Sequence, residues 1–241
     1  MIKTKIKYIL TFAAVMVFSG CGLYSYPYIE APNVSKVVGG GVTECIIENA
    51  SGNDPEVFRG YEIYYKFYDK NKRLAEQRDD HNAIFAKEEP DYTALLAVGY
   101  KRCRVIKNMK KDTTVPMIPI PSGFREDDFN ITIDFKTLTS GSNDEHAELL
   151  AEFKTMPIES IPLYRCIEDT KPESWETPGD INNVYKDFNS IDLEYEECHD
   201  SDLPTKEVFV SMYILSYGLY DNVYNLYSKP VWLGYVDCWN Y

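Results

Sequence analysis

Gly60 to Asp69 reads GYEIYYKFYD. Tyr61, Ile63, Tyr65 and Phe67 fall on one side of an extended chain. Glu62, Tyr64, Lys66 and Tyr68 fall on the other. A period of two with this aromatic content predicts a half-buried β-strand. Phe129 to Leu138 (FNITIDFKTL) alternates in the same way, and Lys206 to Tyr217 (KEVFVSMYILSY) reads as a further strand. Val42 to Glu48 (VTECIIE) is rich in β-branched residues, and Pro230 to Val236 (PVWLGYV) makes the last strand. Tyrosine is abundant, at 20 residues against 11 Phe and 3 Trp. Its apolar body and polar tip suit half-exposed strands and binding surfaces alike, which favours β structure without choosing between the two roles.

Between these strands the signals are local. Gly39-Gly40-Gly41 lacks the Lys-Ser/Thr and the helix of a phosphate loop and reads as a turn before a strand. Gly52-Asn53-Asp54-Pro55 is a turn. Lys70 to Pro90 is heavily charged and reads as a solvated loop or short helix. Asp91 is placed to cap a brief helix over Tyr92 to Val98, with Gly99 ending it. Lys101 to Lys107 (KRCRVIK) reads as a strand. With Lys110 and Lys111 it is the chain's only basic concentration. It has two readings, pairing with the protein's own acids or an anionic glycan or headgroup site. Three prolines make Val115 to Ser122 extended and bar it from helix and ladder. Ser140 to Glu145 is a turn, and Ala147 to Thr155 fits a returning strand or a helix. The hairpin is favoured because DFKT and EFKT close two similar runs. Met156-Pro157 marks a subdomain boundary, Ile161 to Ile167 a strand, and Gly218 to Asn222 a turn.

GYEIYYKFYD resembles the third strand of fibronectin type III and related immunoglobulin-like sandwiches. A tyrosine-bearing strand, a Gly-containing loop and a Ser-x-Pro-started final strand (LSYG…YSKPVWLGY) resemble the last two strands of that fold. Residues 70–205 are unmatched and far too long for the pattern. The resemblance therefore implies a mainly β chain, either one fibronectin type III/immunoglobulin-like β-sandwich with a large insertion or two tandem β-rich subdomains.

The amino terminus sets the expected compartment. Lys3, Lys5 and Lys7 precede the apolar run Tyr8 to Phe18, then Ser19-Gly20 and Cys21. This is the layout of an export signal helix, and the run is short of the roughly 20 residues a spanning helix needs. Phe18-Ser19-Gly20-Cys21 resembles the bacterial lipobox, and with LSYG…YSKPVWLGY the chain resembles a family of spirochaetal lipoproteins. The resemblance implies cleavage after Gly20, diacylation of Cys21 and acylation, with palmitate-type chains, of the new amino terminus. Each buried methylene adds about 0.8 kcal/mol, so three chains would anchor almost irreversibly. The expected organisation is a signal peptide over 1–20, a tether over 21–35 and a β-rich globular region over 36–241. The expected location is the cell envelope, the outer membrane before the inner.

Charge narrows the partners. The formal charge is −13, and loss of three lysines and no acid with residues 1–20 makes the mature charge −16. Such a chain is repelled by phosphate backbones, which excludes nucleic acid as a partner and leaves a protein or a glycan. Besides Cys21, the odd set Cys45, Cys103, Cys166, Cys198 and Cys238 leaves at least one thiol unpaired within a molecule, and no CxxC occurs. No nucleophile elbow, zinc helix or Walker loop is present. His81 follows Asp79-Asp80, His199 sits in Cys198-His199-Asp200, and His146 lies in a turn. None makes a catalytic set by adjacency. Asn143-Asp144-Glu145 and Asp200-Ser201-Asp202 put hard oxygens on turns as calcium candidates, without the EF-hand pattern. No cofactor is expected. The reading is a non-enzymatic, lipid-anchored interaction or structural module, and the alternative is an envelope glycan-acting enzyme using paired carboxylates.

Overall fold

The computed structural model describes residues 28–37, 39, 42, 44–48, 52–69, 73–105, 116–120, 129–134, 147–153, 159–166, 185–186 and 207–239. It is mainly β, with every strand pair antiparallel. The first sheet is formed by β1 (Asn33–Lys36), β2 (Glu44–Glu48), β7 (Phe129–Asp134), β8 (Ala147–Phe153), β9 (Glu159–Cys166) and β10 (Tyr185–Lys186), in that order, with β5 (Arg104–Val105) also on β9. The second sheet is centred on β3 (Phe58–Asp69) and β11 (Glu207–Tyr220). β4 (Lys101–Arg102) and β6 (Ile118–Pro119) line the outer edge of β3, while β12 (Tyr224–Tyr227) and β13 (Val231–Trp239) line the outer edge of β11.

One core joins the two sheets. Tyr61, Ile63, Tyr65 and Phe67 of β3 pack with Val210, Met212 and Ile214 of β11, and with Cys45, Ile47, Ile131 and Ile133 from the first sheet. The aromatic face legible in GYEIYYKFYD is therefore the core face. The expectation of a half-buried strand is corrected at the other face. Tyr64 and Tyr68 are buried as well, in a second cluster with Ile84, Ala94, Leu95, Tyr100, Tyr213 and Leu215. The cover is two helices, α1 (Arg73–Phe85) and α2 (Tyr92–Ala97), drawn from the charged stretch and its neighbour. Asp91 caps α2 by accepting from the Thr93 amide at 3.0 Å, and Gly99 follows it at φ +88°.

Other expectations resolve locally. Gly39 and Val42 exchange backbone hydrogen bonds at 3.0 Å, as the turn reading requires. The two runs expected to form a hairpin do pair antiparallel, Phe129 with Phe153 and Asp134 with Glu148. KRCRVIK is not one strand. The Cys103 amide donates to Ile63 O at 2.8 Å, and there the chain leaves β3 in the second sheet to join β9 in the first. The proline stretch does make a two-residue ladder, Gly60 with Pro119 and Tyr61 with Ile118. Pro119 is tolerated because β6 is an edge. Within the expected tether, Ile29 is buried and Asn33–Lys36 pairs with β2. Among the described residues no helix is long and apolar enough to cross a membrane. The signal stretch and Cys21 lie outside the described residues.

Candidate functional site

The densest polar chemistry among the described residues lies between the second sheet and α1. The alternation of β3 aims Lys66 and Tyr68 at the helices, and β11 aims Ser211 and Tyr213 the same way. α1 answers with Gln77, Asp80 and His81, a polar underside where a core helix would carry leucines. Asp80 Oδ2 accepts from Lys66 Nζ at 2.5 Å and from the Tyr68 hydroxyl at 2.7 Å. Lys66 Nζ also donates to the carbonyl of Val98 at 2.7 Å, tying the end of α2 to the same point. The Tyr68 and Tyr100 oxygens are 3.0 Å apart, and Tyr100 OH and Ser211 Oγ are 3.2 Å apart. Trp232 Nε1 and Gln77 Nε2 donate to Ser211 Oγ at 3.0 and 3.3 Å.

Donor counting orients this chain. A carboxylate only accepts, so the single Tyr68 proton goes to Asp80. Tyr68 must then accept from Tyr100, which spends the Tyr100 proton, and Tyr100 in turn accepts from Ser211. The protons run Ser211 to Tyr100 to Tyr68 to Asp80. Trp232 and Gln77 feed the start, and the Lys66 charge balances the end. Burial pushes the Tyr68 and Tyr213 phenols far above their ordinary range and the Tyr100 phenol to about 12, so all three stay protonated donors.

A second polar pair sits on the same face of β3. Glu62 is almost wholly buried and faces Arg102 of β4 in an ion pair, and Tyr64 donates to Glu62 Oε2 at 2.9 Å. Arg102 of the basic run is thus matched to one of the protein's own acids. Burial and the Glu62 charge keep the Tyr64 phenol protonated. These two arrangements can hold helices to sheet and fix register. Each carboxylate already faces a cation and a phenol, an arrangement suited to structure.

The residues singled out in the sequence are not brought together. His81 sits at the sheet-facing side of α1 and stays solvent-accessible, with Nδ1 2.8 Å from the Tyr213 hydroxyl and its ring 4.7 Å from Phe85. Among the described residues no group of three or more His, Cys, Asp or Glu could hold a metal ion. Cys45 and Cys103 are buried in the shared core, and burial raises the Cys45 thiol to about 12. For Cys166 and Cys238 only the backbone is described. Cys21, His146, Cys198, His199 and both calcium candidates lie outside the described residues. The hydroxyl chain escaped sequence reading because its members are far apart in the chain. The one signal was the amphipathic outer face of β3, which carries Tyr and Lys where a solvated face carries Ser, Thr and Glu. The chain matches no protein-family model, no curated protein and no solved structure.

Proposed function

We propose that this chain is a lipid-anchored lipoprotein of the cell envelope whose β-sandwich serves as a non-enzymatic interaction or structural module. The observation that carries the reading is the amino-terminal layout, three lysines, an apolar run and Phe18-Ser19-Gly20-Cys21. The polar chemistry beneath α1 is consistent with a structural scaffold, because its donors and carboxylates are spent on one another. The sandwich is of fibronectin type III/immunoglobulin-like type. β1, β2 and β7 follow the A-B-E order of one sheet, and β13, β11, β3 and β4 the G-F-C-C′ order of the other. α1 and α2 fill the connection from C to C′, and β8, β9 and β10 widen the first sheet as an insertion between E and F, which favours one domain over two tandem ones.

The test is Cys21→Ala with membrane fractionation and incorporation of labelled palmitate. The parent chain should sediment with membranes after a high-salt wash and carry label. The variant should be soluble and unlabelled. A variant that stays in the membrane pellet would overturn the anchor. Protease shaving of intact cells, with a periplasmic protein as the intactness control, then assigns the face. Cleavage points to a partner outside the cell, and protection to one within the envelope.

A further inference from the structure

The first described residues of the chain adjoin an exposed apolar tip. Ile29 is buried, with its Cδ1 against Gly218 of β11, and the Glu30 amide donates to Asn53 Oδ1 at 2.7 Å. Val57 accepts from the Leu219 amide at 2.9 Å. The segment before β1, the loop before β3 and the β11–β12 hairpin therefore share one end. That hairpin turns through Asp221 and Asn222 at φ 52° and 54°, left-handed positions that Asp and Asn tolerate. Val223 is 71% exposed, Tyr224 63% and Tyr220 37%, and Tyr28, one residue before the buried Ile29, is 67% exposed. The opposite end carries the β1–β2 turn with Val42.

We propose that this end is a membrane-contact surface, with Tyr28, Tyr220, Val223 and Tyr224 seated in the headgroup layer beside the lipid anchor. The inference rests on the lipidation of Cys21 proposed above. Seven residue steps separate Cys21 from Tyr28, and an extended chain covers at most about 3.6 Å per step, so this end is held within about 25 Å of the bilayer. β3 alone, at 12 residues, is about 40 Å long, so the same tether does not hold the far end there. Tyrosine and valine are the chemistry such a site needs. A tyrosine buries its ring among acyl-chain ends and leaves its hydroxyl with water and headgroups. Asp54, Glu56 and Asp221 are exposed at the same end. They specify a zwitterionic surface, because an anionic one repels them.

The experiment uses the lipidated full chain in phosphatidylcholine vesicles containing a lipid with a nitroxide on its headgroup. Val223→Trp and, as the far-end control, Val42→Trp each add one fluorophore to the same background. The emission added at 223 should be quenched several-fold more than that added at 42. Replacing part of the phosphatidylcholine by an anionic lipid should reduce the quenching at low salt, and added salt should restore it. Lipidated protein with equal or absent quenching at both positions overturns the contact and leaves the anchor standing. Mass analysis showing an unacylated Cys21 overturns both. Emission at 223 that shifts only with protein concentration reassigns the tip to a second copy of the chain and also overturns the lipid assignment.

Discussion

Tyr68→Phe removes one oxygen from the hydroxyl chain and leaves the ring packing in place. Tyr68 gives its proton to Asp80 at 2.7 Å and accepts from Tyr100 at 3.0 Å. A hydrogen bond to a charged group contributes about 1.5–3 kcal/mol. Asp80 keeps Lys66, and its side chain is 19% exposed, so water replaces part of the loss. Tyr100 can turn its proton to Ser211 at 3.2 Å. The single substitution should therefore cost about 1.5–2 kcal/mol, near the low end of that range. Ser211→Ala alone leaves Tyr100 donating to Tyr68. In the double variant the buried Tyr100 hydroxyl has neither acceptor, and an unsatisfied buried donor costs about 1–3 kcal/mol. The double should exceed the sum of the singles by about 1 kcal/mol, a coupling between residues that do not touch. Urea unfolding followed by tryptophan fluorescence, in a Cys21→Ala background, reads this as a shift in midpoint at constant slope. Additive costs within about 0.3 kcal/mol would refute the directed chain, because independent bonds add.

Three further outcomes follow from the geometry. The buried phenols of Tyr61, Tyr64, Tyr68, Tyr100 and Tyr213 all have raised ionisation points. Their stabilisation is thus complete below the unfolded value near pH 10 and is lost as pH rises above it. Five groups that ionise only when unfolded give a slope of about 7 kcal/mol per pH unit, so circular dichroism and tyrosinate absorbance should change together within about two units above pH 10. Native dichroism persisting beyond that range while all phenols ionise would contradict the burial. Gly60 has φ +146°, and a Cβ there would run into the Ile118 carbonyl, so Gly60→Ala should cost about 3 kcal/mol in the same urea assay. A cost below 1 kcal/mol would mean that β6 does not lie on β3 as described. Arg102→Ala strands the buried Glu62 carboxylate and should cost about 3 kcal/mol, most of it recovered by adding Glu62→Gln. Equal loss in both variants would show that packing, not charge, is what Arg102 supplies.

The sequence discloses features whose cause is local and hides those that depend on distant partners. The core face of β3, the Asp91 cap and the β7–β8 pairing are set by alternation or by residues close in the chain, and they stand as expected. The burial of both faces of the second sheet left a trace in Phe209 to Tyr217, which is nearly continuous in apolar residues, the signature of a strand covered on both sides. The charge of Lys70 to Pro90 gives no matching sign that this stretch supplies the cover. α1 buries Ile84 among few other apolar residues, and its hold on the sheet comes from Gln77, Asp80 and His81 meeting Ser211, Tyr68 and Tyr213. No periodicity index sees a helix whose buried face is polar. The strand switch at Cys103 was illegible for a similar reason, since it exists only once two sheets stand on either side of it.

The helical layer also bears on where this module can meet anything. The outer face of a sheet that packs its other face on a core is a broad surface available to a partner. On the second sheet α1 and α2 occupy it, and the hydroxyl chain makes their removal costly, because lifting α1 would take Gln77 from Ser211 and Asp80 from both Tyr68 and Lys66 at once. On the first sheet, Glu44 and Glu48 of β2 leave an exposed to half-exposed charged face next to Lys36. Contacts are thereby displaced to the ends of the strands. The exposed Tyr220, Val223 and Tyr224 are gathered at one such end, beside the buried Ile29. Under the anchor proposed above, the arrival of the chain beside this tip is what would set the orientation of the domain on the membrane.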